Sequence, residues 1–181
     1  MRANKGFTII EVLVSAVIIS ILIMGAFTVL DVGRGSWFAG DVRADLRKEM
    51  IRAFMAMERE LRETRPSQLV SFPHGTTSNE VTFRVPQDGA DADTTILDSF
   101  GYIEWSGNIR YWLNGNNEII RTDPLGSTRV LARGITGLEF SRSRNPALPE
   151  DMLIINITAQ KASGIGKISS ETGQLIIQMR N

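Results

Sequence analysis

Three regimes of hydrophobic and polar positions follow one another along the chain. From Phe7 to Leu30 the residues read FTIIEVLVSAVIISILIMGAFTVL, without proline and with Glu11 as the single ionisable side chain. About 24 such residues suffice for a helix crossing a hydrocarbon core of ~30 Å, so this stretch predicts a transmembrane helix. A soluble helix of that length normally carries more polar relief. The pattern then turns amphipathic. Met50, Phe54, Met57 and Leu61 recur at helical spacing, with Phe38, Val42 and Leu46 one stretch earlier on much the same face. The opposite face carries Glu58–Arg62 and Arg59–Glu63 one turn apart, a solvated pattern. Pro66 marks the stop. Gly25, Gly33, Gly35 and Gly40 weaken the middle of this helix, as a kink or as a segment able to unwind.

Beyond Pro66 the period falls to two. Val81, Phe83 and Val85 alternate with polar residues up to Pro86, and Ile109, Tyr111 and Leu113 alternate likewise. The run Asn114-Gly115-Asn116-Asn117 then predicts a turn into Glu118–Arg121. Leu138 and Phe140 suggest another strand, Met152 to Ile157 is a nearly continuous apolar run, and Leu175, Ile177 and Met179 close the chain. The expectation is an α+β fold, with an antiparallel sheet packed on the amphipathic half of the helix. Strand alternation also means that Tyr111 and Trp112 cannot both enter one core.

Composition narrows the chemistry. The 20 basic and 20 acidic residues cancel, so no nucleic-acid partner is expected. With no cysteine, disulfides, thiolate metal sites and cysteine nucleophiles are excluded, and the head must rely on core packing. His74 is the only histidine and lies in a Pro-Gly loop without a catalytic partner. No nucleophile elbow, phosphate-binding glycine loop or zinc spacing occurs. The chain therefore reads as non-enzymatic and without a cofactor. Asp88, Asp91, Asp93 and Asp98 could offer oxygen ligands to calcium, but their spacing does not match an EF-hand loop and favours a solvated loop.

What precedes the apolar run is more specific. MRANKG is a short polar leader with Arg2 and Lys5, and Phe7 follows Gly6 directly. Glu11 is a lone carboxylate that costs about 2.5–3.5 kcal/mol on insertion scales, which marks it as functional. Two roles stay open on the residues alone: stabilising the first turn of its own helix, or pairing with the Phe7 amine of a neighbouring subunit. The string Lys5-Gly6-Phe7-Thr8-Ile9-Ile10-Glu11 resembles the processing motif of type IV pilins and type II secretion pseudopilins. The resemblance implies cleavage after Gly6 by prepilin peptidase, methylation of the new Phe7 amino terminus by the same enzyme, and an intersubunit role for Glu11, the fifth residue of the mature chain.

The strands extend the resemblance. Asn108 to Arg121, Val130-Leu131 and Gly134 to Phe140 look like the head of J-type minor pseudopilins and of W-type minor pilins. Many major pilins carry a proline about two-thirds of the way along the membrane helix; this chain has none, which disfavours a major pilin. The implied organisation is a leader at 1–6, a transmembrane half-helix at 7–34, an amphipathic half at 35–65 and a β-rich head at 66–181. It implies a pilin-like single-pass protein of the inner membrane, its amino terminus cytoplasmic before processing, in line with Arg2 and Lys5, and its head periplasmic. The implied partners are prepilin peptidase and other minor pseudopilins or pilins in a hetero-oligomeric tip complex. The function expected is support of protein export, or alternatively priming of pili for adhesion, motility or DNA uptake. A rival from another class is a membrane-anchored periplasmic binding domain, which requires a pocket with convergent polar groups.

Overall fold

The computed structural model describes residues 8–73, 75–87, 96–98, 100–142, 152–162, 166 and 168–180. The chain divides into two compact units, Met1–Asp41 and Val42–Asn181, and one helix, α1 (Ile9–Glu63), contributes to both. In the first unit the apolar side chains from Ile9 to Val32 are exposed, and the helix is long and apolar enough to cross a membrane. Its few hydroxyls are turned inward. Ser15, Ser20 and Thr28 donate to the carbonyls of Glu11, Ala16 and Met24 one turn back, at 2.8, 2.8 and 2.9 Å. Their polarity is thus satisfied within the helix, as a lipid surround demands.

The second unit joins the rest of α1 to nine strands. β1 (Leu69–Val70), β3 (Glu80–Phe83), β4 (Ile109–Leu113), β5 (Glu118–Thr122) and β6 (Thr128–Arg133) form one antiparallel sheet in that order. β2 (Thr77–Ser78), β7 (Ile135–Arg142), β8 (Met152–Ala162) and β9 (Ile168–Gln178) form a second. The expected α+β arrangement is present, but the head has two sheets where the strand pattern suggested one. The chain changes sheet at two places. Between β1 and β3 it makes a two-residue excursion through β2 to pair with β7. At Gly134, φ is +72°, a left-handed value that glycine adopts without steric cost. Around it Ile135 N–H donates to Asn117 O at 2.9 Å, while Gln160 N–H donates to Gly134 O at 2.8 Å. The backbone bonds thereby pass from the first sheet to the second within two residues.

Both sheets and α1 share one core. Leu46, Met50, Ala53, Met57 and Leu61 form the buried stripe of the helix, with Phe54 half-buried beside them. Facing them are Val81, Phe83, Tyr111 and Ile119 from the first sheet, and Phe140, Leu153, Ile155, Ile157 and Ile177 from the second. Phe38 departs from the expected stripe: it lies in the first unit and remains 51% exposed, so the buried face begins at Leu46. Tyr111 and Trp112 divide as strand alternation requires. Tyr111 is fully buried, whereas half-buried Trp112 lies on the other face with the Arg110 guanidinium 5.3 Å from its ring. Trp105 lies outside the named strands, in an isolated bridge to Pro86, with the Arg65 guanidinium 5.9 Å from its ring.

The helix meets β9 where that strand has no side chain. A Cβ on Gly173 would stand 2.5 Å from Met50 Cε and 3.0 Å from Phe54 Cε2. Met50 has a flexible end and can yield, but the Phe54 ring is less able to. Gly173→Val should therefore destabilise the head by about 1–3 kcal/mol through overpacking, and Met57→Ala by about 2–5 kcal/mol through cavity formation. Urea unfolding of the detergent-solubilised chain measures both. Losses under about 0.5 kcal/mol, the range of ordinary surface sites, would show that the helix does not seat on β9 in this way.

Candidate functional site

The first turn of α1 is built by four residues, Thr8-Ile9-Ile10-Glu11. Thr8 precedes the first helical residue, and its carbonyl accepts the N–H groups of Glu11 and Val12 at 3.1 and 3.3 Å. Thr8 Oγ1 accepts the Glu11 N–H at 3.4 Å, and Glu11 Oε2 accepts the Thr8 N–H at 3.5 Å. This reciprocal arrangement is a capping box, which satisfies two backbone donors that a helix start would otherwise leave open. Both side-chain contacts are at the long end of hydrogen bonding, so the box is loose. Thr8 is a residue that the apolar run conceals; its signal is the T-x-x-E spacing to Glu11. Glu11 is exposed, and among the described residues Thr8 is the partner of its carboxylate. The carboxylate thus caps its own helix while remaining open to a second donor. Gly6 and Phe7 lie outside the described residues.

Residues 1–27 match a family model described as the prokaryotic N-terminal methylation motif. The chain carries an N-terminal methylation motif. That match supports a type IV pilin-like protein, processed by a prepilin peptidase and anchored in a membrane by its apolar helix. It spans the polar leader, the capping box and most of the apolar run. No curated protein and no solved structure matches the chain.

The other candidate sites fare differently. His74, Asp88, Asp91 and Asp93 lie outside the described residues. Asp98 is engaged in a turn, its Oδ1 accepting the N–H groups of Phe100 at 2.9 Å and Tyr102 at 2.8 Å. Among the described residues no three His, Cys, Asp or Glu side chains gather as a metal site. A groove of about 400 Å³ opens beside Leu46, lined by Asp45, Lys48, Glu49, Arg133, Gly134 and Lys161. Its charges largely satisfy one another. Lys161 Nζ binds Asp45 at 2.9 Å, and the hydrogen bond and charge of that lysine hold the Asp45 carboxyl below its ordinary pKa. Glu49 accepts the Arg133 N–H at 3.1 Å and the Arg52 guanidinium at 3.0 Å. The remaining lining charge, Lys48, adds to the field that lowers the Asp45 pKa.

A second polar cluster lies where α1 crosses the first sheet. Glu60 receives the Tyr111 hydroxyl at 2.7 Å and the Arg121 Nε at 3.0 Å from each carboxylate oxygen. Burial, and then the neighbouring charge of Glu60, push the Tyr111 phenol far above its ordinary pKa. Burial opposes the Arg121 charge, but the hydrogen bond and charge of Glu60 outweigh it and raise the guanidinium pKa. The three groups form a clamp that joins the helix to the first sheet.

The clamp makes stability depend on alkaline pH. The folded state holds Tyr111 protonated, while in the unfolded chain it ionises above about pH 10. Its contribution is complete below that value and is lost as pH rises further, at about 1.4 kcal/mol per pH unit. Tyr111→Phe should lower stability at pH 8 by about 1.5–3 kcal/mol, the worth of a hydrogen bond to a charged group. The gap from the wild type should then narrow above about pH 10. Urea titrations at pH 8, 10 and 11 test this, and a pH-independent gap would mean that Tyr111 ionises in the folded head.

Proposed function

We propose that this chain is a minor pseudopilin precursor, cut after Gly6, methylated at Phe7 and assembled near the tip of a type II secretion pseudopilus to support protein export. The observation that carries the reading is the N-terminal methylation motif over residues 1–27, leading into an apolar helix whose lone carboxylate, Glu11, stands in the first turn. The protein acts as a structural subunit, not as an enzyme. Its apolar helix is the membrane reservoir and the filament-core contact, and its head is the partner-facing surface, held in the periplasm. The strand order from Asn108 to Phe140, the hairpins β4–β5 and β5–β6 followed by β7 in the other sheet, supports the minor-subunit form of this reading. A minor type IV pilin that primes pilus assembly shares that order. Restoration of export or of pili in strains lacking the respective minor subunit separates the two.

The capping box sharpens the role of Glu11. After cleavage the Phe7 amine lies one residue before Thr8, and a neighbour's amine can approach the open side of the same carboxylate. If Glu11 acts between subunits, Glu11→Leu should insert at least as well as the wild type, since it removes the charge that opposes insertion, yet fail to assemble. Thr8→Val, which breaks the cap but keeps the carboxylate, should still assemble. Equal assembly defects in both would mean that Glu11 serves only to cap its own helix. Processing is tested separately. In cells with prepilin peptidase, mass spectrometry should find the wild type beginning at methylated Phe7 and Gly6→Val still beginning at Met1. A wild-type chain retaining Met1 would overturn the assignment.

A further inference from the structure

Three turns of the head share one construction. Asp98, Asn114 and Asp123 each accept, on Oδ1, the N–H groups two and four residues ahead, at 2.8–3.0 Å. Each also donates its own N–H to the carbonyl four residues on, at 2.8, 3.0 and 2.9 Å respectively. The fourth residue is left-handed in all three: Gly101 at φ +82°, Asn117 at +59° and Gly126 at +85°. Side-chain oxygens that bind the backbone in this way fix a tight turn. The side chain of the third residue takes no part in it. In the Asn114 turn that residue is the polar Asn116, but in the other two it is Phe100 and Leu125, 83% and 93% exposed. The turn is thus built equally well with a polar residue there, and the fold does not require the two apolar ones.

The two apolar turns lie at the end of the head where α1 stops. The guanidinium of Arg65, two residues past α1, is 5.9 Å from the Trp105 ring. Trp105 bridges Pro86, and Leu97 bridges Ile103 at the base of the Asp98 turn. Pro124 of the other turn abuts Gly107, where an added Cβ would stand 2.8 Å from the proline Cβ. The Asn114 turn lies at the opposite end, where Ile135 N–H donates to Asn117 O and the groove beside Leu46 opens. Leu46 to Glu63 separates the two ends by roughly 25 Å at ~1.5 Å per residue. They also differ in charge. The stretch 87–104, which carries Phe100, has five carboxylates, Asp98 and Glu104 among them, and no lysine or arginine. The groove has Lys48, Arg133 and Lys161 against Asp45 and Glu49.

We infer that Phe100 of one copy seats in this groove of a second copy, joining heads end to end, with Leu125 adding apolar area to the same contact. Gly134 has no side chain to close the groove, and Lys48 and Arg133 offer cations to the face of an entering ring, an attractive pairing. An aromatic anchor in a hollow with opposite charges around it is a common source of both affinity and orientation. The join leaves the α1 helices of both copies pointing the same way, as two chains anchored by that helix require. Each copy keeps one free turn and one free groove, so the contact is heterologous and repeats. The inference concerns the head alone and does not rest on the export reading.

The natural absence of cysteine makes the contact directly testable. Tyr102, exposed beside Phe100, and Arg133, exposed at the rim of the groove, each accept a cysteine without removing the anchor. Full-length Tyr102→Cys and Arg133→Cys chains, solubilised in detergent and treated with a short bismaleimide, should crosslink when mixed and neither should crosslink alone. The two substitutions in one chain should give a ladder of oligomers. Adding Phe100→Asn to the Tyr102→Cys chain should cut the yield at least about fivefold, the factor for losing one anchoring contact. Lys48→Glu in the Arg133→Cys chain should do the same from the other side. The inference is overturned if the mixture does not crosslink, if Tyr102→Cys alone crosslinks as well as the mixture, or if neither Phe100→Asn nor Lys48→Glu lowers the yield.

Discussion

The head depends on one stripe of α1. Leu46, Met50, Ala53, Met57 and Leu61 are buried against both sheets at once, and neither sheet has another helix to cover its inner face among the described residues. Fully burying a large aliphatic side chain contributes about 1.5–3 kcal/mol, so this stripe is the largest source of cohesion between helix and strands. It also explains why a head without disulfides can hold together. The two sheets meet on a common layer of Phe83, Tyr111, Phe140, Ile155 and Ile157, and the helix closes that layer.

Polar contacts fix where along the helix this burial takes place. Glu60 holds Tyr111 and Arg121 of the first sheet, whereas Asp45 and Arg47, nearer the start of the head, bind Lys161 and Glu171 of the second. The helix is thus pinned to one sheet at each end of its buried stripe. At its carboxyl end, Thr64 Oγ1 donates to the Arg84 carbonyl and Arg180 N–H donates to the Thr64 carbonyl at 3.0 Å. Arg180 is in this way tied to the end of α1. The exposed pairs contribute little individually. The Glu60 cluster differs because both ions are mostly buried, and removing either would leave the other uncompensated.

The first unit follows a different physical rule. From Ile9 to Leu30 its surface is apolar all round, its hydroxyls bond back to their own helix, and the one charged group of that stretch, Glu11, caps the first turn. Such a helix cannot be stabilised by a core of its own, so its environment must be lipid or other apolar helices. That dual compatibility is what a subunit needs if it is stored in a membrane and then withdrawn into a filament core. The loose geometry of the Thr8–Glu11 box fits the same requirement, because a weakly held carboxylate can exchange its partner at small cost.

The sequence by itself determined the membrane-compatible helix, the buried stripe from Leu46 to Leu61, most of the strands and the processing motif. Each is a local pattern: a long apolar run, a period of 3.6 or 2, or a short string of residues whose spacing carries the meaning. Even the missed capping box was local, present in the spacing of Thr8 and Glu11. The division of the strands into two sheets and the clamp of Tyr111 and Arg121 on Glu60 were decided only by the tertiary structure. Residues 51 and 61 positions apart had to meet at Glu60, and strand order depends on which backbone groups remain unpaired once all segments are placed. Periodicity specifies which face of an element is buried. It does not specify which neighbour does the burying, because any apolar surface of suitable shape satisfies the same demand.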